Sequence, residues 1–217
     1  MDLLTALRTH RLVAIVRGTD PEAAHRAVMA LTEEGVALVE ISLSGKGALD
    51  VIARSRAALG PAAPLGAGTV LTADDARAAQ AAGADFAVTP GLGEGVTTAR
   101  ELGMPVLAGV MTPTDIVTAR RMGAEALKIF PAEQAGGPGY LRALRGPFPD
   151  LAFVPVGGVD APAARSYLAA GATAVGVGSP LLGDAADGGS LDALRVRARA
   201  FLAAVAVRDA GRGRGDR

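Results

Sequence analysis

The chain has 217 residues, of which half are hydrophobic, with 22 basic and 22 acidic side chains and no cysteine. That length and apolar content suit one domain with a sizeable core, and the charge balance, with no basic stripe interleaved with aromatics, argues against a nucleic-acid partner. Missing thiols exclude disulfides and thiolate metal sites, and the two histidines, His10 and His25, are too far apart in sequence to suggest zinc, so chemistry without metal or cofactor is expected.

At the N-terminus, MDLLTALRTHRL reads as a short helix. It is too short in its apolar part for a leader, and no run in the chain reaches membrane-spanning length, which predicts a cytoplasmic protein that does not engage a membrane. Eight β-like runs then follow: Leu12–Val16, Leu38–Ser42, Leu65–Gly68, Phe86–Thr89, Val106–Ala108, Ala126–Phe130, Phe153–Val156 and Ala174–Gly178. Each is followed by a turn signal and an alanine-rich helical pattern. Asp20-Pro21-Glu22, Thr72 with Asp75, Thr112-Pro113 and Asp160-Ala161-Pro162 read as helix starts. Gly35, Gly83, Gly103, Gly123 and Gly171 read as left-handed helix stops. Eight near-even βα units without a dinucleotide fingerprint favour a single-domain (β/α)8 TIM barrel over residues 1–206, with a doubly wound open sheet as the rival. The glycine-rich, charged stretch 207–217 reads as a frayed tail.

One residue stands out against this frame. Lys128 lies within the apolar run Ala126-Leu127-Lys128-Ile129-Phe130-Pro131, in a chain whose only other lysine is Lys46 and whose remaining cations are arginines. Arginine cannot lose its proton at useful pH, whereas a desolvated lysine can act as a neutral amine nucleophile. The plainer alternative is a lysine at a strand end whose head snorkels into water. In the second run Leu38, Glu40 and Ser42 share a face by the period of two, as Ala126, Lys128 and Phe130 do in the sixth. If both faces point inward, Glu40 and Lys128 share the lumen from opposite walls. They then form either an ion pair that fixes register or an imine-forming lysine with its acid/base.

Active residues of such barrels lie at the C-terminal ends of strands. The last two runs end in Val156-Gly157-Gly158-Val159 and Gly176-Val177-Gly178-Ser179, where backbone N–H groups can hold a phosphate. Tight turns alone would also call for these glycines. Thr69, Thr89-Pro90-Gly91 and Gly109 could line the same mouth or serve as turn chemistry.

At these residues the chain resembles the class I aldolases of 2-keto-3-deoxy-6-phosphogluconate (KDPG) and 2-keto-3-deoxy-6-phosphogalactonate (KDPGal). The resemblance spans roughly residues 8–206. It is carried by VEISL, GAGTV, TPG, ALKIFPAE, VGGV and GVGS. It implies that Lys128 forms a Schiff base and that Glu40 is the acid/base. It further implies that Arg17, Thr69, Pro90, Phe130 and Val156 contact substrate, and that Gly157, Gly158, Gly178 and Ser179 hold phosphate. The implied protein is a metal-free homotrimer that cleaves a phosphorylated 2-keto-3-deoxy sugar acid and releases pyruvate.

Two departures bear on substrate. Gluconate-type members have an arginine shortly after the glutamate, in a segment like EVTLRT, where this chain has EISLSG with Ser44, and a threonine where it has Val156. Both departures, with the Ile15-Val16-Arg17-Gly18 segment, resemble the galactonate type, whereas RGPFPDLAF resembles the gluconate type. The expectation is KDPGal cleavage, with KDPG or 4-hydroxy-2-oxoglutarate as alternatives. Two further classes stay open: a phosphate-binding barrel isomerase or synthase, which needs no imine-forming lysine, and a non-catalytic assembly protein, which has no use for the lumen pair.

Overall fold

The computed structural model describes residues 1–206, so the tail expected over residues 207–217 lies outside it. Helix α1 (Leu3–His10) precedes eight strands: β1 (Leu12–Val16), β2 (Leu38–Ser42), β3 (Leu65–Gly68), β4 (Phe86–Val88), β5 (Val106–Val110), β6 (Ala126–Ile129), β7 (Phe153–Pro155) and β8 (Val175–Val177). Between them run α2 (Pro21–Glu33), α3 (Ala48–Leu59), α4 (Ala73–Ala81), α5 (Glu94–Glu101), α6 (Pro113–Arg121), α7 (Gly137–Arg145) and α8 (Ala161–Ala169). After β8 come the short α9 (Ser179–Leu182) and the long α10 (Leu191–Val205).

Strands β1 to β7 pair in parallel with one another in sequence order, and β1 also pairs with β8. The ring closes between β7 and β8 through the Val156–Gly176 bridge and a Thr173 N–H to Phe153 C=O bond of 2.9 Å. This is a closed (β/α)8 TIM barrel in a single domain, and the open-sheet alternative is excluded. Among the described residues no helix is long and apolar enough to cross a membrane.

The expected helix boundaries hold for a local reason. Asp20 accepts from the N–H groups of Glu22 and Ala23, Asp160 accepts from Ala163, and Thr72/Asp75 and Thr112/Asp115 both form reciprocal capping boxes. At the other ends Gly35, Gly83, Gly103, Gly123 and Gly171 all take positive φ. Strand ends depart from expectation by one or two residues: β4 stops at Val88, β6 at Ile129, β7 at Pro155, and β8 covers only Val175–Val177. β5 runs on to Val110, because Gly109 is a lumen position rather than a turn.

Two apolar clusters divide the interior. The larger lies between strands and helices and includes Val39, Ile41, Ala67, Ala108 and Leu127. The smaller fills the lumen with Val13, Ile15, Leu38, Phe86, Val88, Leu107, Ala126, Val154 and Val156, and Leu3 and Leu7 of α1 join it, capping the N-terminal end. Every strand is therefore buried on both faces, as parallel strands must be. The alternation fixes direction: Leu38 and Ala126 belong to the lumen cluster, so Glu40 and Lys128, two residues on, point the same way one layer nearer the mouth.

Candidate active site

Glu40 and Lys128 are 2% and 6% exposed, which makes them the two buried side chains of the acidic and basic residues among the described residues. In the ladder Glu40 is flanked by Ile15 and Gly66, and Lys128 by Gly109 and Val154. What surrounds the pair is largely an absence of side chains. A Cβ on Gly66 would come within 2.4 Å of the Phe86 ring, and one on Gly68 within 2.4 Å of Glu40 Oε1. One on Gly109 would strike the backbone of Pro90, and one on Gly176 would meet Val156 at 2.6 Å. Each of these inward glycines gives its side-chain space to a neighbour, Gly68 to the Glu40 carboxylate, Gly66 to the Phe86 ring, Gly109 to the Pro90 backbone and Gly176 to Val156.

Burial pushes the Glu40 carboxyl above the ordinary glutamate range, and the positive charges of Lys128 and, less strongly, Arg17 oppose that push. Lys128 Nζ also stands 5.2 Å from the centroid of the Phe130 ring, within range of a cation–π contact. Phe130 is 41% exposed and lies one residue past β6, at the rim.

The structure brings the remaining expected residues to this same end. Arg17 follows β1 and is exposed, yet close enough for its charge to act on Glu40. Thr69 follows β3 with φ of 59°, a left-handed conformation that is uncommon for a β-branched residue. Pro90 folds over Gly109, and Val156 sits in the wall beyond β7 at the seam with β8. Gly157 and Gly158 take φ of 99° and 72°, and Gly178 leads into α9, which begins at Ser179. The N–H groups of Gly157, Gly158 and Gly178 meet no backbone acceptor among the described residues, and the Glu133 carboxylate lies against Gly158, where a Cβ would come within 1.9 Å of Oε2. No three His, Asp or Glu side chains among the described residues gather as metal ligands.

Sequence reasoning did not single out Gly66, Gly68 or Gly176 as space-makers, nor Ser42. Glycine at alternate inward positions of β3 was the available signal. Ser42 continues the face of Glu40, and its Oγ is 2.8 Å from Ser44 Oγ and 2.8 Å from Thr69 Oγ1.

The family model described as KDPG and KHG aldolase matches residues 3–195. A 2-dehydro-3-deoxy-phosphogluconate aldolase of Haemophilus influenzae is 35% identical over 168 residues, covering 77% of this chain and 79% of that protein. A 2-dehydro-3-deoxy-6-phosphogalactonate aldolase of Escherichia coli K12 is 38% identical over 172 residues, covering 78% and 83%. The solved structure of KDPG aldolase from Legionella pneumophila superposes with a TM-score of 0.84 at 25% identity, covering 95% of this chain and 99% of that one. It holds pyruvate captured at low pH as a covalent carbinolamine intermediate.

Two outcomes follow from this geometry. Gly68→Ala adds a methyl where Glu40 Oε1 now lies, and should turn the carboxylate away at a cost of about 100-fold in turnover with the fold retained; turnover near that of the parent would contradict this. The second concerns stability. Native Glu40 holds its proton more tightly than the unfolded chain does, so its ionisation opposes folding. The penalty is absent well below about pH 4, grows as pH rises through the unfolded glutamate value toward the raised native one, and is full above that. Glu40→Gln should therefore raise the thermal midpoint at about pH 8 and lose that gain at about pH 4; a midpoint that falls at the higher pH would refute the assignment of strain to Glu40.

Proposed function

The chain belongs to the KDPG and KHG aldolase family and is a class I carbon–carbon lyase of the KDPG/KDPGal type, and we propose that it cleaves 2-keto-3-deoxy-6-phosphogalactonate to pyruvate and glyceraldehyde 3-phosphate with Lys128 as the imine-forming residue. The observation that carries this reading is one amine and one carboxylate buried in a glycine-lined lumen.

In this mechanism the unprotonated Lys128 amine attacks the C2 carbonyl, and loss of water from the carbinolamine leaves a protonated imine. Glu40, acting through a water molecule, takes the proton of the C4 hydroxyl. The C3–C4 bond breaks, its electrons move into the imine to form an enamine, and glyceraldehyde 3-phosphate departs. Glu40 returns a proton to C3, and water hydrolyses the resulting imine to pyruvate and free Lys128. The raised Glu40 carboxyl suits a group that must both take and give a proton. Phe130 lies where a positive charge on the Lys128 nitrogen is favoured.

The ends of the substrate are held separately. Arg17 and Thr69 take the carboxylate by charge-assisted and neutral hydrogen bonds, with Pro90 shaping the wall on the β4 side of Thr69. The backbone amides of Gly157, Gly158, Gly178 and Ser179 take the phosphate. Assembly as a homotrimer belongs to the same proposal, and the exposed apolar side chains Leu71 and Val117 are available to such a contact.

The epimer choice rests on the walls. Val156 presents methyls to the lumen where a threonine would present a hydroxyl, so a C4 hydroxyl turned toward it gains no polar contact. Ser44 presents a short hydroxyl in place of a guanidinium. Preference for the galactonate epimer should be modest, and Val156→Thr should raise relative activity on the gluconate epimer. Initial rates of pyruvate release from both synthetic epimers, on parent and variant, test this. A parent enzyme strongly selective for the gluconate epimer would overturn the substrate assignment, and no pyruvate from either would overturn the reading as a whole.

A further inference from the structure

Thr69 sits in a conformation that β-branched residues avoid, and something must hold it there. Its hydroxyl has one protein partner among the described residues, Ser42 Oγ at 2.8 Å. Ser42 is 2% exposed, pairs with Gly68 across the β2–β3 ladder and occupies the inward position next above Glu40. Leu43 N–H bonds Gly68 C=O at 2.8 Å, and Gly45 N–H bonds Ser42 C=O at 2.9 Å, so the backbone on both sides of Ser42 is fixed. On its other side Ser42 Oγ meets the exposed Ser44 hydroxyl, also at 2.8 Å.

The proton count gives this chain a direction. A serine hydroxyl owns one proton and two lone pairs, so Ser42 can accept from both neighbours, or accept from one and donate to the other, and the Thr69 proton stays free only when Ser42 donates to Thr69. In the order Thr69 to Ser42 to Ser44, the proton of Thr69 is spent on Ser42 and only its lone pairs face the mouth. In the order Ser44 to Ser42 to Thr69, the Thr69 proton stays free and points out of the network. A carboxylate accepts and cannot donate, so an anionic ligand favours the second order.

We infer that Ser42 is a positioning residue, which holds the strained Thr69 and supplies it with a proton through the Ser44–Ser42–Thr69 hydroxyl chain, so that Thr69 presents a donor to the carboxylate of a 2-keto acid. The inference rests on the proposed function for the identity of that ligand. Its energetic content is the orientation of one hydrogen bond made equally in ground and transition states, so it acts on KM and leaves kcat largely untouched.

The test is borohydride trapping of pyruvate by the full chain, followed by intact-mass measurement across a range of pyruvate concentrations. Ser42→Ala should raise the half-saturating pyruvate concentration about three- to tenfold, the worth of one hydrogen bond, and leave the maximal labelling rate within about twofold. Ser42→Thr, which restores the hydroxyl, should behave like the parent. In a Thr69→Ala background the same Ser42→Ala change should have no further effect, because the group it positions is gone. Ser42→Cys, of similar size with a weak donor, gives the same comparison should the alanine protein fail to fold. An unmoved half-saturation in Ser42→Ala, or equal shifts with and without the Thr69 hydroxyl, overturns the positioning role alone. A parent protein that takes no label at all overturns the Schiff-base reading and this inference with it.

Discussion

Moving a carboxylate or an ammonium from water into a protein interior costs several kcal/mol per ion, and mutual attraction offsets this only partly. Glu40 and Lys128 are both carried into the lumen of a barrel whose inward side chains below them are aliphatic or aromatic. A pair of apolar residues of similar volume would serve the fold as well or better, so the pair is retained at the expense of stability. Most other features of the mouth can be understood as accommodating it. Gly68 leaves room for the Glu40 carboxylate, Phe130 is set over the cation, and Arg17 helps keep Glu40 able to ionise against its burial.

The lower half of the lumen is tightly filled. Phe86 crosses to occupy the space above Gly66, and Leu3 and Leu7 of α1 close the N-terminal end. Stability is thereby concentrated at one end and chemistry at the other, the division typical of this architecture. The glycine-rich turns beyond β7 and β8 lie on the chemical side, with the Glu133 carboxylate against Gly158. For a chain with zero formal net charge, the anionic substrate proposed above would be held through local arrangement rather than through a broad positive surface.

The pattern of caps and stops made the order of elements legible, since Thr72/Asp75 and Thr112/Asp115 act within a single turn. Period-two spacing likewise placed Glu40 and Lys128 on inward faces once a barrel was assumed. Less was legible where an effect depends on register between strands. That Gly68 must lack a Cβ because Glu40 occupies the space follows from β2–β3 pairing, and no local rule reveals it. For Gly109 the sequence left mouth lining and turn chemistry both open, and the β5–β6 register places it in the lumen opposite Lys128, with β5 running on to Val110. The left-handed backbone of Thr69 and its bond to Ser42, 27 residues earlier, depend on the same tertiary register.

Borohydride reduction in the presence of pyruvate, followed by peptide mapping, tests directly whether Lys128, and no other amine, forms the proposed covalent bond with the keto acid. One stable adduct is expected on Lys128 in the parent chain and none in Lys128→Arg, whose guanidinium keeps the charge but cannot serve as a neutral nucleophile. An adduct on Lys46, or labelling that persists in Lys128→Arg, would contradict it.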